Sequence, residues 1–503
     1  MKLIRINAKD NVAVALEALS AGEVLIVEGE PVTILGDIIP GHKVALANIK
    51  EGEAVIKYGY PIGRAKKDIR KGEWVHTFNL KTQLEESGDY HYDEECAKEY
   101  LIEAEERQKR NLSDGCPCIK AYERKNGDIG IRNGLWIVPT VGCVNEISKK
   151  LASWGNENLG LEDGVKAWTH PFGCSQLGND HENTRKILSG LVKHPNAGGV
   201  LVVGLGCENN TMDSFKALLG SVDEERIKFM VCQEEDDELE KGKELLQQIA
   251  SVMKNDKRTV VSASRLVVGM KCGGSDGLSG ITANPLVGRF TDALTAIGGT
   301  AILTEVPEMF GAEQVLMDRA ASREVYEKIV DMINAFKHYF VSHGQVVYEN
   351  PSPGNKSGGI TTLEDKSLGC VQKGGSAPVT GVLHYGDKVS TKGLNLLSGP
   401  GNDIVSTTVQ TASGAHMILF TTGRGTPLGA PVPTVKIATN TPLSEKKKSW
   451  IDFNAGRLLT EDKEKVVSDF ISYILEVASG EKHTRNEENG YSEISIFKDG
   501  VVL

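Results

Sequence analysis

The sequence predicts a multidomain α/β protein, with a small β-rich N-terminal module followed by a large body built mostly on parallel sheet. Three observations carry this. Residues 1–82 hold short apolar runs such as EVLIV and HKVAL, punctuated by Gly and Pro. Residues 83–115 (EESGDYHYDEECAKEYLIEAEERQKRN and its flanks) are strongly charged and read as a partly helical linker. From Leu135 onward, continuous Val/Ile/Leu runs alternate with helical patterns, as expected of parallel strands buried on both faces. The expected domains are therefore 1–82, a linker at 83–115, an α/β domain at 116–255 and a second α/β domain at 256–503.

Within the module, Asp10 is placed to cap a short helix carrying Val12, Leu16 and Leu19. NIKEGEAV (48–55) and DIRKGEWV (68–75) echo one another at a spacing of 20, each setting a Gly-Glu turn before a strand. That pattern suits a barrel-like or clip-like fold of short strands. In the body, LWIVPTVGC precedes VNEISKKLA, GGVLVVGLGC precedes TMDSFKALLG, and RLVVGMKC precedes a glycine-rich loop and PLVGRFTDALTAIGG. Helices are expected at 323–341 and 461–478, with a terminal strand at 493–498. Within the unusual stretch 350–432, PSPGNKSGGITTLEDKSLGCVQKGGSAPVTG is too polar and glycine-rich for core and reads as an ordered functional loop, followed by a strand, a Gly/Pro loop and another strand in AHMILFTTGRGTPLGAPVPTVKIATN.

Composition excludes several classes. Lys+Arg number 57 against 68 Asp+Glu, a net charge of −11, which opposes nucleic-acid or anionic-membrane binding. No run approaches the roughly 20 apolar residues of a membrane span. No apolar leader stands at the N-terminus, so a cytoplasmic protein is expected. Gly is 55 of 503, about 11% against a usual ~7%, and clusters beside Cys, Asn, Lys and Ser. Nine cysteines, an odd number, argue for metal binding or burial rather than a disulfide framework.

Three strand ends share one design: VGCVN, GLGCEN and MKCGGSD. Ligands bind beyond the carboxyl ends of strands in open α/β sheets, so Cys143, Cys207 and Cys272 are expected to converge there. A thiolate in such a place is a metal ligand or a nucleophile; a small buried residue beside a turn has the same signature. Cys174 and Cys370, in glycine-rich loops, extend the set, while Cys116 and Cys118 (CPC) read as structural. His42 and His76 stand at turns of the module, and imidazole suits divalent iron, manganese or zinc. Lys271, Lys356, Lys373 and Arg424 lie in glycine loops suited to an anionic small molecule, Arg424 through a bidentate pair. Glu305 ends a strand and is a candidate base. Dinucleotide, Walker A, zincin and serine-hydrolase motifs are missing from the sequence.

The strings PGHKVAL, IKYGYPIG, DIRKGEWVHTFN, HPFGCSQLG, GLGCE, KCGGSDGLSGITANPLVG, NKSGGITTLEDKSLGCVQKGG and TTGRGTPLGAPVPTVKI together resemble the altronate and galactarate dehydratases of sugar-acid catabolism, over nearly the whole chain. One departure is Phe78, where the family often carries a second histidine. The resemblance implies an N-terminal SAF domain of β-clip fold, and a hydro-lyase that needs Fe²⁺, or Mn²⁺ in its place. For D-altronate the product would be 2-dehydro-3-deoxy-D-gluconate, with water lost across C2 and C3. Lys271, Glu305 and His170 are the candidate bases, in that order. Lys356, Lys373, Arg424 and Asn284 are the expected substrate-binding residues. His42, His76, Cys143, Cys207 and Cys272 are the expected metal ligands, and an iron–sulfur cluster on Cys143, Cys207 and Cys272 is the alternative centre. A galactarate dehydratase or a sulfolactate sulfo-lyase on the same scaffold, and a non-catalytic sugar-acid binding protein, are the competing readings. A homodimer is expected.

Overall fold

Short alternating apolar runs build the N-terminal module. Strands β1 (Leu3–Ile4), β2 (Val12–Ala15), β3 (Val24–Val27), β4 (Glu30–Thr33), β5 (Lys43–Ala45), β6 (Ala54–Lys57), β7 (Tyr60–Ala65), β8 (Trp74–Val75) and β9 (Leu80–Lys81) form sheets ordered β1-β2-β5-β8, β3-β4 and β6-β7-β9. Every pairing among them is antiparallel. The structure is a computed structural model that describes residues 2–85, 88, 90–113 and 115–503, with backbone alone at 111–113. Residues 86, 87, 89 and 114 of the expected linker lie outside the described residues. The two echoing segments pair with each other through an Ile49–Ile69 bridge, hydrogen-bonded at 2.9 and 2.8 Å.

The expected helix after Asp10 is instead strand β2. Its Val-Ala-Val-Ala run is fully buried and pairs with β5, Val12 opposite Ala45, a pleated setting that favours the β-branched valines. Asp10 accepts the N–H groups of Gly59 at 2.7 Å and Asn7 at 3.0 Å, so its carboxylate closes turns rather than capping a helix.

Helix α1 (Glu94–Ser113) occupies the linker and is tied to the body by Arg107, 2.9 Å from Asp292. The next elements are β10 (Cys118–Glu123), β11 (Ile129–Gly130), β12 (Gly134–Pro139), α2 (Asn145–Asn158), β13 (Val165–Ala167), α3 (Gly178–Val192), β14 (Ala197–Gly204), α4 (Met212–Leu219), β15 (Ile227–Val231), α5 (Glu238–Met253) and β16 (Thr259–Ser262). A parallel sheet, β13-β12-β14-β15, has α2 and α5 packed together beside it. Strands β10 and β16 pair antiparallel, Ile119 opposite Val261, although the sequence boundary at 255/256 assigns them to different domains. The ribbon they form joins the entry and exit of this domain and buries Ile119 and Val261 in the largest core.

The C-terminal domain contains β17 (Val267–Cys272), α6 (Ala283–Ala296), β18 (Thr300–Leu303), α7 (Glu313–Met317), α8 (Arg323–Ser342), α9 (Pro353–Ser357), α10 (Leu363–Cys370), β19 (Val379–Leu383), β20 (Gly393–Leu397), α11 (Asp403–Ala412), β21 (Met417–Thr422), β22 (Thr434–Ala438), α12 (Thr441–Lys446), β23 (Phe453–Asn454), α13 (Lys463–Ala478) and α14 (Arg485–Glu488). Among the described residues its sheet is seven-stranded and parallel, ordered β19-β20-β18-β17-β21-β22-β23. The chain runs outward from β17 to one side and then resumes at β21 on the other, so the topological switch point lies beside β17. The expected strand at 493–498 is extended but unpaired by strand ladders. The N–H groups of Ser495 and Phe497 are satisfied by the hydroxyls of Thr408 at 3.0 Å and Tyr385 at 2.9 Å. Among the described residues no helix is long and apolar enough to cross a membrane.

Candidate active site

The carboxyl end of β17 delivers two functional side chains in succession. Lys271 is fully buried; its Nζ donates to the Cys272 carbonyl at 2.7 Å, contacts Glu305, and lies 2.9 Å from Asp403. Glu305 follows β18 with φ of +72°, a left-handed backbone that a non-glycine residue adopts at a cost of order 1–3 kcal/mol. Its side chain is held in place by Lys271, by the Cys272 N–H at 3.0 Å and by Lys373 at 3.7 Å. One turn on, Glu308 Oε2 lies 2.9 Å from Cys272 Sγ and 3.2 Å from Cys370 Sγ, with the two sulfurs 3.5 Å apart. Lys366 Nζ sits 2.8 Å from the other Glu308 oxygen. Lys366 and Cys370 share one face of α10 through their i,i+4 spacing.

This cluster is charge-balanced in a dry setting. Burial pulls the Lys271 ammonium down, but Glu305, Asp403 and Glu308 together raise it above the lysine value. Burial, reinforced by Cys272 and Glu308, pushes the Glu305 carboxyl well up. Burial also opposes the Glu308 charge, yet Lys366, Lys271 and Lys373 hold this carboxyl below the usual range. A hydrogen bond from Cys370 draws the Cys272 thiol down to about 6, helped by Lys373 and Lys271 against burial and Glu308. The same bond and burial raise Cys370. The two sulfurs are in hydrogen-bond contact with each other and with Glu308, and the contact shifts them in opposite directions.

A cavity of about 580 Å³ opens onto this cluster. Cys272, Glu308, Lys366 and Asp403 face it, and the 349–356 segment with Lys356 closes one wall. That volume lies inside the usual range for small-molecule sites, roughly 300–1,000 Å³. Among the described residues, Cys272, Glu308 and Cys370 are the one grouping of three His, Cys or acidic ligand atoms lying within 4.8 Å of one another. Two sulfurs and a carboxylate oxygen make a borderline-soft donor set. It fits Fe²⁺ better than Mn²⁺, which prefers all-oxygen surroundings.

The expected site residues divide. Lys271, Glu305, Lys373 and Cys272 come together here, and Lys356 lines the cavity. Lys271 and Glu305 form the layer behind the cavity wall, since neither lines it. His170 does not join them: it is buried at the end of β12, its Nε2 donating to the Pro139 carbonyl at 2.9 Å and its Nδ1 accepting the Phe172 N–H at 3.1 Å. With both nitrogens engaged, it is a loop pin and not a base. Asn284 is equally occupied, donating to the Gly369 carbonyl at 2.9 Å and accepting from Thr421 at 2.7 Å. It braces α10 and β21 and has no free end for substrate. Arg424 donates to the Gly354 carbonyl at 2.8 Å and Ser357 Oγ at 2.6 Å, securing α9 rather than facing the cavity.

The expected ligand set of His42, His76, Cys143, Cys207 and Cys272 does not assemble, and neither does a cluster on Cys143, Cys207 and Cys272. Cys143 and Cys207 follow strands of the second domain's sheet and are exposed, whereas Cys272 is buried in the other sheet's site. His42 and His76 stack at 5.1 Å between ring centroids and reach the main chain of α9. His42 Nε2 is 3.3 Å from the Ser357 carbonyl, and His76 Nε2 is 2.9 Å from that of Lys356. Trp74 donates to His42 Nδ1 at 3.2 Å, and Thr77 Oγ1 lies 3.0 Å from His76 Nδ1. Burial, with neighbouring His76 and Lys43, lowers His42 to about 4, so it is neutral. The pair clasps the cavity wall. Sequence reasoning missed Glu308, Lys366 and Asp403; the Lys366–Cys370 helical spacing was the available signal.

Comparison with known proteins agrees with this architecture. Residues 1–83 match the altronate/galactarate dehydratase SAF domain, 121–254 the D-galactarate dehydratase/altronate hydrolase second domain, and 263–502 the D-galactarate/altronate dehydratase C-terminal domain. The chain is 52% identical to an altronate dehydratase of Escherichia coli, over 100% of both chains. It is also 52% identical to an altronate dehydratase of Bacillus subtilis, over 99% of both. Identity to a galactarate dehydratase (L-threo-forming) of Escherichia coli is 30%, over 99% of this chain and 97% of that one. The chain belongs to the altronate/galactarate dehydratase family and is a carbon–oxygen hydro-lyase.

Proposed function

We propose that the chain dehydrates D-altronate to 2-dehydro-3-deoxy-D-gluconate with a ferrous ion held by Cys272, Glu308 and Cys370. The observation that supports this reading is the cavity whose floor carries Cys272 and Glu308, with Cys370 in contact behind them, and whose walls bring Lys356, Lys366 and Asp403 together. A bound Fe²⁺ supplies Lewis acidity at the substrate's carboxylate end. The protein supplies the rest. Lys356 and Lys366 attract and orient the aldonate anion. Asp403 faces the cavity, held by Lys271 at 2.9 Å, and removes the C2 proton. Lys366 is cationic, because Glu308 and the nearby thiols outweigh its burial, and assists departure of the C3 hydroxide as water. Lys271 and Glu305 are positioning residues, fixing Asp403 and the Cys272 main chain.

The test is turnover by reduced, iron-loaded protein. Release of 2-keto acid from D-altronate, above that from galactarate or sulfolactate, is expected. Turnover of galactarate but not altronate would overturn the substrate while leaving the hydro-lyase chemistry intact.

A further inference from the structure

Three thiols outside that site share a local design. Cys143, Cys174 and Cys207 are exposed, each follows a glycine, and each lies in the loop leaving one of three neighbouring parallel strands, β12, β13 and β14. These strands are ordered β13-β12-β14, and neighbouring strands lie about 4.8 Å apart, so the three loops emerge side by side.

The loops are also bonded to one another. Gly142 N–H donates to the Phe172 carbonyl at 2.8 Å, and Asn210 N–H donates to the Gly173 carbonyl at 3.1 Å. Ser175 N–H donates to Asn209 Oδ1 at 2.9 Å, and Thr140 Oγ1 donates to Glu208 Oε1 at 2.7 Å. The Cys174 loop is thus bracketed by the other two. Gly173, at φ +99°, lets it sit so close to β12 that a Cβ would fall 2.0 Å from the Thr140 carbonyl oxygen. His170 pins the same loop. Gln233 Nε2 donates towards Cys207 Sγ at 3.7 Å, the kind of hydrogen bond to sulfur that tunes iron–sulfur centres.

Free exposed thiols are a chemical liability, and three of them on one bonded set of loops imply an occupant. A single tetrahedral ion with metal–sulfur bonds of about 2.3 Å needs its sulfurs under about 4 Å apart. Among the described residues the three do not form a group with ligand atoms within 4.8 Å of one another, so this arrangement does not suit a single ion, and a polynuclear centre is the occupant that three thiols can share over a wider span. We propose that Cys143, Cys174 and Cys207 bind an iron–sulfur cluster of the [4Fe–4S] type, its fourth iron facing solvent. This centre is separate from the Cys272 site and does not rest on the proposed reaction.

The test is anaerobic reconstitution of the full chain with Fe³⁺, sulfide and excess dithiothreitol, the dithiol supplying the two electrons that bring four Fe³⁺ to the mixed valence of a [4Fe–4S]²⁺ centre. The expected product is brown, with about four iron and four acid-labile sulfide per chain beyond any ferrous ion. Cys143→Ser, Cys174→Ser and Cys207→Ser should each lose the colour and the sulfide, whereas the Cys272→Ser/Cys370→Ser double variant keeps both. Alkylation read by mass spectrometry tests the wild-type chain directly. The three cysteines should become protected together on reconstitution with iron plus sulfide. Protection by Fe²⁺ without sulfide, no labile sulfide in the wild type, or a Cys174→Ser variant that stays brown would each overturn the proposal.

Discussion

Lys43 Nζ of the N-terminal module lies 2.8 Å from Asp365 Oδ2 on α10, with both side chains wholly buried. Lys57, from the same module, reaches the other oxygen at 3.0 Å. The helix that carries Lys366 and Cys370 is thereby anchored by two strands of a different domain, β5 and β6. The module is part of the site's framework, and two of its buried lysines share one carboxylate.

Replacing Asp365 by Asn should leave two buried lysines without their counter-charge and destabilise the chain by about 3–5 kcal/mol. Burial opposes the Asp365 charge, but Lys43 and Lys57 hold this carboxyl well below the usual carboxylate range. Its folded value is depressed, so its contribution is fully present above the unfolded value of about 3.9 and is lost as pH falls below that. Thermal melts of wild type should steepen in their decline below about pH 4, and Asp365→Asn should flatten that acid limb. An unchanged limb would refute the latch.

Cys272→Ser and Cys370→Ser each remove a sulfur donor from the proposed ferrous site. Each should lower iron affinity by at least about 10-fold and activity in parallel. Cys118→Ser, at an exposed position, serves as the control and should change neither. Iron content after desalting, measured beside keto-acid release, decides the matter.

Asp403→Asn should lower kcat by about 10²–10⁴-fold while iron content is preserved, as expected for loss of a base. Glu305→Gln keeps shape but weakens the hold on Lys271, so a smaller loss of kcat is expected. The reverse ranking would move the base to Glu305.

His42→Ala and His76→Ala loosen the clasp on α9, whose Lys356 and Ser357 carbonyls they hold. Both variants should raise KM several-fold with iron content unchanged. Loss of iron instead would make the histidines ligands after all.

The class of fold was legible in the chain, because hydrophobic periodicity and glycine-marked strand ends are local signals. LWIVP, GGVLVVG and RLVVGMKC became the parallel strands they looked like. The Asp10 segment was misread because its apolar spacing fits a helix, while pairing with β5, remote in sequence, decides for a strand. Site chemistry was legible in kind, as cysteines, lysines and glutamates beside glycines. The grouping was not. Cys143, Cys207 and Cys272 share one sequence design, yet their strands belong to two sheets, and only tertiary packing sets Cys272 beside Cys370, 98 residues away. His42, His76, His170 and Asn284 carry ligand-type side chains whose polar atoms the fold takes up with its own backbone and neighbouring side chains. Sequence by itself determines which groups are available; burial and hydrogen bonding, which exist only in the folded chain, decide which of them remain free to act.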